Sequence, residues 1–361
     1  MVQLDIVRSH NAAIFQNQHT VAVFAGATSG LGEATLRSLA SSHGKQGKGL
    51  RVYVVGRKKA SFDRVVADCK RLCPAGQFCF IQATDLALLQ DVDKACAEIT
   101  KQEQENATGE PARVDLLCMS QGDFTFSPHQ DTKEGIEFRF SLLYYSRMKF
   151  IVNLMPLLQA SRRPAHVISV FAAGGEGNLY LDDLSLRDPK HYGMAATRSH
   201  VAYLHTFFME YLATQHPGRL SLVHVFPGLV MTPAFKNPGV PVAMKAVFTL
   251  FNPIIRLLTT PLAEAGDRIL FLASPDRFPA KQTTEINSKS SVPAVPGPKV
   301  DMVTGSDGVM GSGAYSVDIK GNPVKNEQSY KNYRGQGVGE KLVAHTLKAF
   351  EDIKAGKVFQ D

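Results

Sequence analysis

The segment Thr20 to Gly26, Thr-Val-Ala-Val-Phe-Ala-Gly, is a short run of β-branched and apolar residues that stops on a glycine. Helical spacing begins at Leu31, and between the two lies Gly26-Ala27-Thr28-Ser29-Gly30-Leu31-Gly32. A strand that passes through closely spaced glycines into a helix constrains a fold strongly. Glycines there allow a tight turn, close approach of backbone to an anion, and close packing of helix on strand, while the helix N-terminus presents amide donors and a positive dipole end. The spacing therefore predicts a dinucleotide pyrophosphate held at Gly26, Thr28, Ser29, Gly30, Leu31 and Gly32.

The rest of the chain repeats this alternation. The patterning predicts strands at Leu50 to Val55, Phe78 to Ala83, Val114 to Ser120, His166 to Phe171 and Leu220 to Phe226. Helices are predicted between them, at Ser61 to Leu72, Leu86 to Gln104, Ile136 to Ala160 and Met194 to Gln215. Strands separated by helices of ten or more residues need crossover connections. They imply an α/β, doubly wound parallel sheet of the Rossmann type. Three regions follow: an N-terminal extension over 1–19, a dinucleotide-binding and catalytic domain over 20–275, and a loop-rich C-terminal extension over 276–361. Within the second, residues 233–262 form an apolar excursion read as a lid, broken at Asn252-Pro253, with a helix from Ala263 to Ala273 after it. The third is rich in Gly, Pro, Ser and Lys, with a hairpin expected from Gly313 to Val324 turning at Gly321-Asn322. It ends in a helix, Val338 to Lys354, that places Val343, Leu347, Phe350 and Ile353 on one face for docking.

Composition removes several other classes. The best membrane candidate, Val240 to Ala263, contains Lys245, Asn252, Pro253 and Arg256, so no integral membrane segment is expected. The net charge is +7, but the basic residues are scattered in doublets such as Lys58-Lys59 and Arg162-Arg163, a pattern that suits small anionic ligands rather than nucleic acid. Five cysteines, an odd number without a leader-like apolar segment, read as reduced thiols in a cytoplasmic protein. Neither they nor the eleven histidines show a metal-ligand spacing, and no metal is expected.

The glycine turn and four later features resemble, in order, the short-chain dehydrogenase/reductase family over roughly Thr20 to Ser274. Gly56-Arg57-Lys58 closes the second strand, where the family reads the adenosine ribose, and a basic pair there implies NADP(H). Asp85-Leu86 follows the third strand at the adenine position. Ser120-Gln121-Gly122 ends the fourth strand, and Pro227-Gly228-Leu229-Val230-Met231-Thr232 resembles the family's turn against the nicotinamide. The cofactor set is thus Gly26, Thr28, Ser29, Gly30, Leu31, Gly32, Arg57, Lys58, Asp85, Leu86, Ser120, Gly122, Pro227, Gly228, Val230 and Thr232. Tyr144-Tyr145-Ser-Arg-Met, Asp182-Asp183-Leu184 and Gly305-Ser306-Asp307-Gly308 are similar to atypical members from fungal secondary-metabolite pathways. That likeness implies a bulky apolar substrate.

The catalytic set departs from the family. A serine, a tyrosine and a lysine four residues later are required there, the lysine to lower the phenol's pKa. Here Ser169 is the available serine and Val170 stands where the reactive one belongs. Tyr192 occupies the tyrosine's neighbourhood, but Ala196 lies four residues on. The family's helical asparagine is not identifiable from Phe140 to Tyr145. A literal Tyr145-x-x-x-Lys149 precedes the fifth strand, out of order, and reads as a polar helical stripe; His191, His200 and His205 read as surface or core histidines. The resemblance implies an NADP-dependent oxidoreductase acting on a carbonyl or alcohol, with Tyr192 and Ser169 catalytic. The alternative is a cofactor-binding protein with an isomerase-like or binding role. A homo-oligomer is compatible with either.

Overall fold

In a computed structural model, the chain is described over residues 2–123, 128–233, 259–282, 298–324 and 327–361. Helix α1 (Leu4–Gln16) leads into β1 (Thr20–Ala25), α2 (Gly30–His43), β2 (Leu50–Gly56), α3 (Lys59–Leu72), β3 (Gln77–Gln82), α4 (Leu89–Asn106) and β4 (Leu116–Met119). Next come α5 (Phe138–Phe140), a π-helical turn over Ser141–Tyr145, α6 (Ser146–Gln159), β5 (Ala165–Val170), α7 (Met194–Gln215) and β6 (Leu220–Phe226). Helix α8 (Leu262–Phe271), β7 (Ala314–Asp318), α9 (Glu327–Gly335) and α10 (Val338–Lys354) follow.

The seven strands form one sheet in the order β3-β2-β1-β4-β5-β6-β7, every pairing parallel. This is the doubly wound α/β architecture that the alternation predicts. Central strands β1, β2, β4 and β5 are buried along their whole length, as strands covered on both faces must be. The chain steps outward from β1 to β3, then returns to place β4 against β1. The order reverses there, and in such sheets ligands bind outside the carboxyl ends of the strands at the reversal.

Three segments differ from the sequence-based expectation. The long helix predicted from Ile136 to Ala160 begins instead with one α turn at Phe138 and a π turn, so that Tyr144 and Tyr145 are both fully buried. The hairpin expected at Gly313 to Val324 is a seventh parallel strand on β6. Its turn does form: Asp318 accepts from the amides of Lys320 and Asn322, and Gly321 adopts φ 73°. The returning arm pairs back on β7 as well: Val317 bridges Pro323, and the Asp318 and Val324 amides donate to the Asn322 and Ser316 carbonyls, both at 2.9 Å. The chain before Thr20 is helical: α1 packs on α2 and α8, with Asn11 donating to the Asp267 carbonyl and His10 meeting Ser274 at 2.7 Å. Most of the expected apolar lid lies outside the described residues. Helix α10 docks with Val343, Phe350 and Ile353 buried.

Candidate active site

The glycine turn stands at the carboxyl end of β1, beside the reversal point. Gly26 has φ 87°, and a Cβ there would lie 2.4 Å from the Gln121 amide nitrogen, so only glycine lets β1 leave the sheet this close to β4. A Cβ on Gly32 would lie 2.2 Å from Ser120 Oγ and 2.6 Å from the Gly26 carbonyl oxygen. Gly30 is different. It has φ 62°, yet the nearest atom to its Cβ position is Thr232 Cβ at 3.6 Å. Gly30 is buried, but its Cβ position has room and faces the Pro227–Thr232 segment across a cradle beside the turn. Ser29 is the N-cap of α2 and its side chain makes no capping bond, so it does not compete for the amides of the first turn.

The neighbouring strand ends complete the edge. Thr28 lies opposite Gly56 at the end of β2, and its carbonyl accepts from Arg64 at 3.1 Å. Arg57 and Lys58 are exposed just beyond, and their side chains form no ion pair or hydrogen bond among the described residues. The Ala83 amide donates to the Gly56 carbonyl at 3.0 Å, which brings Asp85 and buried Leu86 beside that end. One Asp85 oxygen accepts from the Ala87 amide at 2.9 Å. Ser120 Oγ donates toward the Gly26 carbonyl at 3.2 Å, Gly122 is exposed, Gly228 has φ 69°, and Val230 is buried. Pro227 is half-buried between β6 and that glycine. Glu33, in the first turn of α2, is pulled two ways: burial raises its carboxyl, while hydrogen bonds from Arg64 and Arg37 hold it below the usual range. Its charge is thereby offset beside the turn.

The residues expected to carry the chemistry are separated. Ser169 has no exposed surface, and its hydroxyl is used twice. Arg147 Nη1 donates to it at 2.9 Å. His205 Nδ1 faces the Val201 carbonyl at 2.9 Å, which leaves its Nε2 to accept from Ser169, also at 2.9 Å. Ser169 thus holds an internal network instead of presenting itself to a substrate oxygen. Arg147, 1% exposed, also donates to the Val170 carbonyl at 2.9 Å and the Gln121 carbonyl at 2.5 Å, tying the ends of β4 and β5 together. Burial pulls its guanidinium down to about 9, so it remains cationic at neutral pH. His205 stacks on His224 with ring centroids 4.3 Å apart.

Tyr192 precedes α7 and is half-buried. Its hydroxyl donates to Glu137 Oε1 at 2.8 Å and accepts from Arg139, whose guanidinium also faces the ring with 5.4 Å between Cζ and the centroid. Burial first, and then the hydrogen bond and charge of Glu137, push this phenol up to about 12, with Arg139 opposing. No hydrogen-bond partner is common to Tyr192 and Ser169 among the described residues. Sequence reading missed Glu137, Arg139 and Arg147. They lie 55, 53 and 22 positions from the groups they touch, and nothing local marks them.

The other candidates all have structural partners. Tyr145 is fully buried and meets His345 Nε2 at 2.6 Å, and Lys149 pairs with Asp93 at 3.1 Å and lies over the Phe350 ring. The expected polar stripe is thus a buried seam beneath α10. His191 pairs with Asp183 at 2.9 Å and stacks on Tyr180, while His200 accepts from the Tyr180 amide. The described residues contain no group of three or more potential metal ligands, and no described helix is long and apolar enough to cross a membrane.

No family model matches the sequence. Full-length relatives do. The short-chain dehydrogenase/reductase SAT2 of Stachybotrys chartarum is 35% identical over 356 residues, covering 98% of each chain. The chain belongs to the short-chain dehydrogenase/reductase family. This short-chain dehydrogenase/reductase is also 30% identical to oxidoreductase andH of Emericella variicolor, again over 98% of each chain, so its fungal kinship is as the sequence resemblance implied. A short-chain dehydrogenase/reductase from Brucella melitensis shares the fold with a TM-score of 0.52 at 15% identity, covering 72% of this chain and 91% of that one. A short-chain dehydrogenase from Pseudomonas syringae does so with a TM-score of 0.50 at 18% identity, over 73% and 92%.

Proposed function

We propose that this protein uses NADP(H) to interconvert a carbonyl and an alcohol on an apolar metabolite. The observation that carries the cofactor preference is Arg57, exposed one residue past β2 without an ion-pair partner among the described residues, in a segment with no acid from Val54 to Lys59. A guanidinium there suits the 2′-phosphate of the adenosine ribose through two parallel charge-assisted bonds, and Lys58 adds to the field. The Gly30 cradle and the uncapped start of α2 fit a pyrophosphate, and the Pro227–Thr232 segment faces the same cradle.

When bound, the nicotinamide supplies the hydride; the proton is the protein's task. Tyr192 is the proton donor to the reduced carbonyl oxygen in this reading, and a weak one: its phenol is pushed up to about 12 and its hydroxyl must leave Glu137 to reach substrate. Arg139, bonded to the same oxygen, is the cation that stabilises the phenolate left behind, against the larger opposing effects of burial and Glu137. Glu137 works against that phenolate and keeps the acid weak, so turnover should be slow near neutrality. Ser169 and Arg147 position the ends of β4 and β5 and do not touch substrate. The exposed apolar side chains of Met194, at the start of α7, and Leu229, in the turn after β6, support an apolar substrate at this edge. Five unpaired cysteines accord with a cytoplasmic setting.

The test is incubation with NADPH and a panel of hydrophobic ketones, following the absorbance of the reduced nicotinamide. Loss of that absorbance with at least one ketone is expected. Tight NADPH binding with no turnover on any member would favour the non-redox alternative, toward which the closed Ser169 network points.

A further inference from the structure

The cofactor edge accounts for only one end of the sheet. At the opposite edge, where the strands begin, lies a cleft of about 420 Å³. Thr20 opens β1, Leu116 opens β4 and His166 is the second residue of β5. With roughly 3.3 Å per residue, six residues of β1 separate this cleft from the glycine turn by about 20 Å.

Its walls combine two features. One side is apolar, formed by Ile14 and Phe15 of α1 with Pro164, Ala273 and Pro275. The other is cationic. Arg163 is half-buried and Lys48 is exposed, and neither side chain forms an ion pair or hydrogen bond among the described residues. Arg113, 2% exposed, is held by Glu110, Asp115 and His19, and Arg162 pairs with Glu110 at 2.7 Å. Asp115 opposes an anion here, but its oxygens are engaged by the Val21 amide, Ser161 Oγ and Arg113. Four cations against Asp115 and the adjacent Glu110 leave the cleft positive.

Two buried polar side chains in the lining have no partner. Thr20 Oγ1 is unsatisfied in a residue with no exposed surface, and His166 Nδ1 is unsatisfied in a residue 7% exposed. An orphaned buried donor or acceptor costs roughly 1–3 kcal/mol, so such groups in native proteins normally meet a ligand or a bound water. A cleft of this size falls within the range of small-molecule sites, which pair an apolar wall with a few placed polar groups.

We propose that this cleft is a second binding site, separate from the cofactor edge, for a small organic anion: a carboxylate or phosphate on an apolar body. The anionic group meets Arg163 and Lys48 with its oxygens toward Thr20 Oγ1 and His166 Nδ1, and the body lies along Phe15 and Pro164. Octanoate is the first probe, followed by calorimetry against the native protein, with phenyl phosphate and inorganic phosphate as comparisons. Octanoate is expected to bind, to perturb the His166 imidazole resonances, and to bind at least about tenfold more weakly to the folded double variant Arg163→Glu/Lys48→Glu, a change of about 1.4 kcal/mol. Its affinity should be unchanged in Arg57→Ala, which separates this cleft from the cofactor edge. Absence of binding by octanoate and phenyl phosphate up to about 10 mM overturns the proposal and assigns the orphaned atoms to water. Binding that survives the charge reversal, or leaves His166 unmoved, also overturns it. Inorganic phosphate binding as tightly as octanoate overturns the apolar part of the assignment.

Discussion

Acidification should destabilise this protein chiefly through its buried histidines. Burial pushes His166, His200 and His345 down to about 4 and His205 to about 3, with Arg147 adding to the effect at His205. The unfolded chain takes up these protons near pH 6.5, whereas the folded chain resists until pH 4 or below. Between those values the unfolded state binds more protons, so stability falls as pH falls. At pH 5 each group costs about 2 kcal/mol and the four together about 8 kcal/mol, comparable with the whole stability of an ordinary domain. The burial-raised carboxyls of Glu134 and Glu210 act in the opposite direction and soften the slope. The consequence is specific at His205, because a proton on Nε2 removes the acceptor for Ser169 and sets a second cation beside Arg147. Thermal unfolding followed by circular dichroism should give a midpoint that is level from pH 7 to 8.5 and drops steeply from pH 6.5 to 5. His205→Gln, which cannot charge, should recover about a quarter of the loss at pH 5. A midpoint that is level from pH 7.5 to 5 would refute the reasoning.

Gly30→Val has room, since its nearest neighbour is 3.6 Å away, but strains a β-branched residue at φ 62°, so it should cost about 1–2 kcal/mol of stability and reduce the NADPH affinity of the folded variant by roughly 100-fold, about 2.7 kcal/mol, in a fluorescence titration; native affinity would remove the cradle from the account. Tyr192→Phe should bind NADPH normally and lose at least about 100-fold in ketone reduction, as expected when a general acid is removed, and an undiminished rate would make Tyr192 structural. Tyr145→Phe loses the bond to His345 and should cost about 1 kcal/mol of stability with no change in kcat, measured by urea unfolding and turnover; a catalytic defect would reopen the literal Tyr-x-x-x-Lys motif.

The parts of this molecule legible in the sequence are those written in local pattern. Helix α7 and strand β6 have the predicted bounds, because each is an uninterrupted run set off by breakers, Gly193 before the helix and Pro217-Gly218 between helix and strand. The glycine turn was readable because its glycines answer to backbone geometry within seven residues. The hairpin at Asp318 to Asn322 is legible because it carries its own turn signal, whereas the parallel pairing of β7 on β6 is not, since that partner lies about ninety residues upstream and leaves no local trace. The same limit hid Arg139 and Arg147. A basic residue on a helix reads as solvated until the fold shows it buried against a hydroxyl brought from a distant strand or loop. The π turn at Ser141–Tyr145 likewise depends on packing that sequence periodicity does not encode.

The central claim is that Arg57 makes this an NADP(H) protein, and cofactor discrimination tests it most directly. NADPH and NADH should be titrated against the native protein and Arg57→Ala by fluorescence at fixed ionic strength. Charge-assisted bonds to the 2′-phosphate are worth roughly 1.5–3 kcal/mol, which predicts that the native protein prefers NADPH by roughly 10- to 100-fold. Arg57→Ala should erase most of that preference while NADH affinity stays unchanged. Equal affinity of the native protein for both cofactors, or an undiminished NADPH preference in Arg57→Ala, would contradict the account.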